Sequence, residues 1–172
     1  MDLRFTLPEL RKLDLVGTEI LAGSLAADQR PPRGVGGLVD WRLVGRLSGL
    51  ILSGFASGAV GEVLLIPPKP KLPFDKVLLF GIGRVDDFNE LVFRAVVEKM
   101  LYVFEGLRAR TAVVELPGRH VDRIEATRAA DILLECADGR EQHDVWTLVE
   151  PADAQRAITQ HLTEERRRAR PA

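Results

Sequence analysis

Two glycine-rich stretches hold the residue types that could bind an anion. The run Arg30-Pro31-Pro32-Arg33-Gly34-Val35-Gly36-Gly37-Leu38-Val39-Asp40-Trp41-Arg42-Leu43 sets a proline stop, a glycine cluster and an amphipathic helix back to back. Proline lacks an N–H and fixes φ, so Pro31 and Pro32 end whatever precedes them. Gly34, Gly36 and Gly37 permit tight turning and close backbone approach. A helix starting just after them aims its free N–H groups at the loop, a geometry that can hold a phosphate. Gly81-Ile82-Gly83 follows an apolar run and offers the same possibility. These five glycines are the candidate ligand-binding residues. The same stretches also serve as tight corners of a packed α/β domain. Their spacing matches neither a dinucleotide fingerprint nor a P-loop. Asp40, read as lying in the first helical turn, would answer the helix dipole itself and oppose an anion nearby. Packing is therefore the favoured reading of both stretches.

Other chemistry is thinly represented. Arg30, Arg33, Arg42 and Arg46 are the candidate partner-binding residues, able to dock onto an acidic surface. The plainer reading is a solvated face with local pairs, such as Arg42 with Asp40 or Glu62, each contributing about 0–1 kcal/mol. A catalytic metal needs three or more converging His, Asp or Glu side chains. His120, His143 and His161 are far apart in sequence and form no His-x-x-x-His pattern, so they read as exposed or capping residues. His143 and Asp144 are adjacent, and neighbours on a strand point apart. Cys136 ends an apolar helical segment and reads as a buried, inert thiol. No Gly-x-Ser-x-Gly nucleophile elbow occurs. No catalytic residue, metal site or cofactor is indicated.

Composition narrows the function classes further. The chain has 172 residues, 46% hydrophobic and 28% charged, which suits one ordinary domain. Its net charge of −1 provides no global attraction to nucleic acid or anionic membrane. A single cysteine excludes an internal disulfide framework. The first residues lack a signal-peptide pattern, and no apolar run reaches the roughly 20 residues needed to span a bilayer. These features predict a soluble, cytoplasmic protein.

Periodicity predicts the elements that must position those residues. Strands are expected at Leu3–Leu7, Glu19–Ala26, Glu62–Ile66, Lys76–Gly81, Thr111–Leu116 and Val145–Val149. Helices are expected at Leu38–Ser53, from about Asp87 to Gly106, at Val121–Ala137 and at Ala152–Arg168. In the first helix Leu43, Leu47, Leu50 and Ile51 recur at helical spacing. In the second, Phe88, Leu91, Val92, Ala95, Val96 and Met100 form the stripe, with Asp87 and Glu90 resembling a capping box. Its last turn, Leu101-Tyr102-Val103-Phe104, is apolar nearly all round. Alternating strands and helices predict an α/β fold with a largely parallel sheet covered on both faces. The strands at 62–66 and 77–81, joined by a proline-rich connector, would pair antiparallel and make the sheet mixed. One domain spans 1–163. Residues 164–172 form a charged tail, Glu164-Glu165-Arg166-Arg167-Arg168-Ala169-Arg170 and beyond, that projects into solvent or frays.

The stretch from about Glu19 to Gly83 resembles the N-terminal domain of the cytosolic leucine aminopeptidases, the two-metal peptidases. The resemblance lies in Arg30-Pro31-Pro32-Arg33-Gly34, Gly37-Leu38-Val39-Asp40-Trp41-Arg42-Leu43 and Gly45-Arg46-Leu47-Ser48. It continues in Gly61-Glu62-Val63-Leu64-Leu65 and Val77-Leu78-Leu79-Phe80-Gly81-Ile82-Gly83. It implies a macro-domain-like, three-layer α/β/α fold. In that family the metals and the catalytic lysine and arginine belong to a separate C-terminal domain with an Asn-Thr-Asp-Ala-Glu-Gly-Arg type motif. No such motif occurs here, so no ligand or catalytic residue carries over.

Three functions follow as expectations. The first is a non-catalytic, stand-alone module acting in protein–protein interaction, assembly or regulation, its partner either itself or a peptidase catalytic chain. The second is a binder of ADP-ribose or a related phosphate compound, since macro domains use glycine-rich loops that lead into helices. The third is a regulatory subunit of a separately encoded metallo-aminopeptidase.

Overall fold

A computed structural model describes residues 1–168. Its strands are β1 (Asp2–Thr6), β2 (Ile20–Ala26), β3 (Val63–Ile66), β4 (Lys76–Gly83), β5 (Thr111–Val114) and β6 (Val145–Val149). Its helices are α1 (Leu10–Leu15), α2 (Gly34–Arg42), α3 (Arg46–Leu52), α4 (Glu90–Gly106), α5 (Ala126–Ala137) and α6 (Ala152–Arg168). The strands form one six-stranded sheet in the order β1-β6-β5-β2-β4-β3. Every pairing is parallel except β3 with β4, which is antiparallel across the proline-rich connector.

Successive residues of a strand face opposite sides, and both sides here are apolar. Ile20, Ala22, Leu78, Phe80, Ala112, Val114, Trp146 and Leu148 face α4 and α5. Phe104 sits at the centre of that layer, 5.2 Å from the Trp146 ring and 6.2 Å from the Phe80 ring, centroid to centroid. Leu21, Leu25, Val77, Leu79 and Val113 face the opposite layer, built on Leu13, Val35, Val39, Leu47 and Ile51 of α1 to α3. The result is a three-layer α/β/α fold with a mixed, largely parallel sheet. α6 packs outside α5 through Ala126, Ala130, Ala154 and Ile158. No described helix is long and apolar enough to cross a membrane.

Four local expectations are corrected. The helix predicted over 38–53 is two helices. α2 starts at Gly34, and the chain breaks at Val44 and Gly45, whose φ values are 57° and 78°. The apolar stripe survives the break, because Leu47 and Ile51 are buried and Leu43 and Leu50 are packed against them. The cap of α4 is Asn89, whose side chain accepts from Leu91 N and Val92 N, in place of Asp87. That start turns Phe93, Val97, Leu101 and Phe104 inward and leaves Leu91 and Tyr102 in solvent. The helix predicted from Val121 starts at Ala126, after a short 3-10 turn at Arg119–Val121. The short α1, which buries only Leu13, has no counterpart in the predicted elements. α6 continues through Arg168 with Thr163 to Arg168 exposed; the rest of the predicted tail, 169–172, lies outside the described residues.

Candidate functional site

Ligands of open parallel sheets bind beyond the carboxyl ends of the strands. Here that crest gathers the ends of β2, β5 and β6, and its centre is a buried carboxylate. Glu115 follows β5 and is 4% exposed. Its Oε2 accepts the Val35 N–H at 2.7 Å, and its Oε1 lies 3.2 Å from His120 Nδ1. Val35 is in the first turn of α2, so the carboxylate sits where the helix dipole and free N–H groups favour an anion. Gly34 has a φ of +61°, and a Cβ there would collide with both Glu115 carboxylate oxygens. The positive φ disfavours any other residue there, and the missing side chain lets the carboxylate come in against the helix start.

Glu150, which follows β6, is 1% exposed. Arg119 grips it as a fork, with Nε donating to Oε1 at 2.7 Å and Nη2 to Oε2 at 2.9 Å. Burial pushes the Glu150 carboxyl above its ordinary pKa, and the Arg119 guanidinium opposes that rise. Arg119 Nη1 also donates to the Ile124 carbonyl at 2.6 Å. His120 Nε2 lies 2.9 Å from Gln29 Oε1. Glu115, Arg119, His120 and Glu150 wall a cavity of about 410 Å³, with Arg33 and Gly34 at its rim.

The second glycine stretch lies elsewhere. A Cβ at Gly81 would collide with the Ala59 carbonyl oxygen. Gly81 N donates to Glu62 O at 2.9 Å and Gly83 N to Gly58 O at 2.8 Å. The loop around 58–62 is therefore packed across the end of β4, and it takes the N–H groups that a phosphate would need. Glu62 in turn holds that loop, accepting from Ser57 N at 2.9 Å and Gly58 N at 2.6 Å. Gly81 lines a separate hollow of about 130 Å³ with Val60, Phe80, Val96 and Lys99. In the first stretch, Gly36 makes ordinary contacts, while a Cβ at Gly37 would lie 2.7 Å from the Pro32 carbonyl oxygen. The two stretches do not converge on one hollow.

The four arginines also separate. Arg30 donates to its own loop, to Gln29 O at 2.9 Å and Ala26 O at 3.2 Å. Arg33 is exposed at the cavity rim. Arg42 pairs with neither Asp40 nor Glu62. It forks onto Asp14 at 3.0 Å and donates to Lys71 O at 2.9 Å, tying α2 to α1 and to the β3–β4 connector. That pairing holds the Asp14 carboxyl below its ordinary pKa. Arg46 is exposed at the start of α3. Asp40 lies in the seventh position of α2, not its first turn, and caps α3 by accepting Ser48 N at 2.9 Å and Ser48 Oγ at 2.5 Å.

The histidines are less exposed than predicted. The His120 side chain is buried in the crest, and His143 is buried with Nε2 3.2 Å from Glu105. His161 pairs with Asp131 at 2.8 Å. His143 and Asp144 do diverge, since Asp144 pairs with Arg110 outside. Cys136 is half-buried, and burial raises its thiol pKa. Among the described residues no group of three or more His, Cys, Asp or Glu could hold a metal ion. Sequence reasoning missed Glu115, Arg119 and Glu150. A usable signal existed: a lone acid directly after each of the apolar strands β5 and β6 is a buried charge, and a buried charge needs a partner.

The comparisons with known proteins agree with the three-layer fold. The model of the cytosol aminopeptidase family N-terminal domain matches residues 25–141. A probable cytosol aminopeptidase of Halorhodospira halophila is 39% identical over 101 residues, 55% of this chain and 20% of that protein. The cytosol aminopeptidase of Pseudomonas aeruginosa is 30% identical over 102 residues, 59% of this chain and 21% of that protein. The chain thus spans about a fifth of the length of these curated relatives. In fold it is similar to a tomato leucine aminopeptidase mutant, with TM-score 0.65 and 11% identity, covering 94% of this chain and 35% of that one. It is also similar to the Trypanosoma brucei macrodomain in complex with ADP-ribose, with TM-score 0.69 and 16% identity, covering 93% and 68%. The macrodomain of Mycobacterium tuberculosis DarG gives a TM-score of 0.67 at 12% identity, covering 87% and 98%. With more than half of its length matched by the family model, the chain belongs to the cytosol aminopeptidase family, through that family's N-terminal domain.

Proposed function

We propose that this chain acts as a protein-binding module in assembly or regulation and performs no chemistry of its own. Glu115 carries the reading. Its carboxylate occupies the α2 N-terminus that a ligand phosphate would need, and a phosphate brought there would meet like charge. The neighbouring groups support it. Arg119 and Glu150 are committed to each other, as are His120, Glu115 and Gln29. Side chains closed into such a network are poorly placed to exchange protons with a substrate. The family assignment suggests the kind of partner: a second copy, or a metallo-aminopeptidase catalytic chain that this one would regulate in the cytoplasm. The net charge of −1 disfavours nucleic acid.

A second reading, binding of ADP-ribose or a related phosphate, draws on two observations. The Trypanosoma brucei neighbour is a complex with ADP-ribose, and Arg33 stands exposed at the rim of the crest cavity. Under this reading the ligand has to displace Glu115 from Val35. Calorimetry with ADP-ribose and co-purification from the native cell separate the readings. The module reading expects no heat at millimolar ADP-ribose and recovery with itself or a metallopeptidase. Saturable micromolar ADP-ribose binding overturns it, as does turnover of leucine p-nitroanilide by the purified chain with added Mn²⁺ or Zn²⁺.

A further inference from the structure

We propose that the outer edge of β1 is a strand-addition site whose occupant is an extended, acidic segment of a partner chain. The inference rests on the binding-module reading and names the chemistry of that module's partner. β1 ends the sheet order, with β6 on one side and no strand on the other. Asp2 N donates to Asp144 O at 2.8 Å, and Thr6 O accepts from Glu150 N at 3.0 Å. The even residues of β1 therefore turn their backbone groups towards β6. Leu3 and Phe5 turn theirs outward, because the N–H and C=O of successive strand residues point to opposite edges. Among the described residues no backbone hydrogen bond takes those outward groups. A row of this kind is a template for another strand.

Two hollows flank this edge, and Phe5 lines both. Leu3 and Phe5 pack on the α4–α5 side of the sheet. The first hollow, about 720 Å³ between Phe5 and the Ala152–Arg167 stretch of α6, lies on that side. The second, about 370 Å³, is lined by Arg4, Leu15, Val16, Val145 and Thr147. Arg4 and Thr147 are partners in the β1–β6 register, and they face away from α4 and α5, since Trp146 and Leu148 face towards them. A strand added to β1 would present alternate side chains to the two faces. In strand addition the main chain supplies affinity, and hollows for alternate side chains supply specificity.

Charge selects the occupant. Arg156 and Arg167 line the α6 hollow, and both are exposed. The ion pairs of α6 are His161 with Asp131 and Arg168 with Glu165, so among the described residues Arg156 and Arg167 pair with no acid. Glu164, the one acid in that hollow, is engaged by Gln160 Nε2 at 3.0 Å. The local excess is positive on a chain whose net charge is −1. The opposite hollow is lined largely by aliphatic and β-branched side chains, with Arg4 held by Asp2 at 3.2 Å. The matching segment therefore alternates acidic side chains towards α6 with β-branched ones towards Val16 and Val145.

The test titrates the full chain with an end-capped Glu-Val-Glu-Val-Glu-Val peptide and with its Lys-Val counterpart, following amide hydrogen exchange by NMR. The Glu-Val peptide is expected to bind saturably below about 1 mM. It should slow exchange of the Leu3 and Phe5 amides at least about 10-fold, while those of Arg4 and Thr6, already turned to β6, change little. Arg156→Glu and Arg167→Glu combined should weaken binding at least about 10-fold with an unchanged circular dichroism spectrum, since both side chains are exposed on α6. The proposal is overturned by an absence of saturable binding up to about 1 mM, by equal binding of the Lys-Val peptide, by protection that misses Leu3 and Phe5, or by a double variant that binds as wild type does. Protection of Leu3 and Phe5 that rises with protein concentration alone would make the occupant a second copy, and it too overturns the acidic assignment. Each of these results leaves the module reading to its own test, since the chain can still co-purify with a partner held at another surface.

Discussion

Replacing Glu115 by alanine asks whether its carboxylate is the anion around which the start of α2 is built. The side chain is 4% exposed and accepts the Val35 N–H at 2.7 Å. A hydrogen bond to a charged group contributes about 1.5–3 kcal/mol. A negative charge at a helix N-terminus adds about 0.3–1 kcal/mol, and more when partly buried. The contact with His120 at 3.2 Å is lost as well. These contributions overlap, and the expected destabilisation is about 3 kcal/mol. For a chain of this length that lowers Tm by about 6–12 °C. Glu115→Gln keeps the shape and one acceptor oxygen, so its loss should be nearer 1 kcal/mol, about the value of a neutral hydrogen bond. Urea unfolding followed by circular dichroism measures both. A second arm is more specific. Formate fits the space the alanine opens, and at a concentration equal to its Kd it should stabilise Glu115→Ala by about 0.4 kcal/mol while leaving wild type unchanged. The reasoning is refuted if Glu115→Ala unfolds within about 0.5 kcal/mol of wild type, or if formate stabilises both proteins equally.

Two further outcomes are expected. Gly81→Ala places a Cβ against the Ala59 carbonyl oxygen and 2.8 Å from the Ala59 carbonyl carbon. Neither backbone atom can move without opening the Gly81–Glu62 bond, so a loss of more than about 2 kcal/mol is expected in urea unfolding; a smaller loss would mean that the 58–62 loop is not packed as described. For His143, burial holds the pKa below its ordinary value, against the pull of Glu105. The unfolded chain then binds more protons just below the ordinary histidine pKa, so this contribution is present above it and is lost as pH falls. The slope for one such proton is at most about 1.4 kcal/mol per pH unit. Between about pH 7 and about pH 5, the urea midpoint should fall further for wild type than for His143→Gln. Equal falls would show that His143 does not titrate on unfolding.

The fold was legible because its signals are local. Lys76 to Gly81 reads as a strand buried on both faces from one apolar run, and β4 is that strand, extended to Gly83. The pairing of β3 with β4 follows from a connector too short and too proline-rich for a crossover. Helix starts are less legible. Asn89 caps α4 with its side chain, and Gly45 breaks the 38–53 stretch with a positive φ. Both are single-residue choices that periodicity averages over.

The crest was not legible, and the reason is distance along the chain. Sequence order points to Asp40 as the charge answering the dipole of the first helix, yet that role belongs to Glu115, 80 residues from Val35. The acids Asp40 and Glu62 offer Arg42 local partners, yet its partner is Asp14, 28 residues away. Which N–H group meets which oxygen depends on strand order, because β5 must lie beside β2 before Glu115 can reach α2.

By itself the sequence determined the class of fold, the order of most elements and the family, since hydrophobic period, turn residues and motif runs are all written within a few residues of one another. Only the tertiary structure decided what the Arg30 to Leu43 run does. Of its glycines only Gly34 lies against an anion, the Glu115 carboxylate of the same molecule, while Gly37 is pressed against the Pro32 carbonyl and Gly36 makes ordinary contacts. Packing brought that carboxylate there, and packing also left Trp41, Leu52 and Phe55 outside with no internal partner. Burial and exposure of this kind are properties of the assembled layers, set by which faces of α2 and α3 meet the sheet, and no local stretch of residues specifies them.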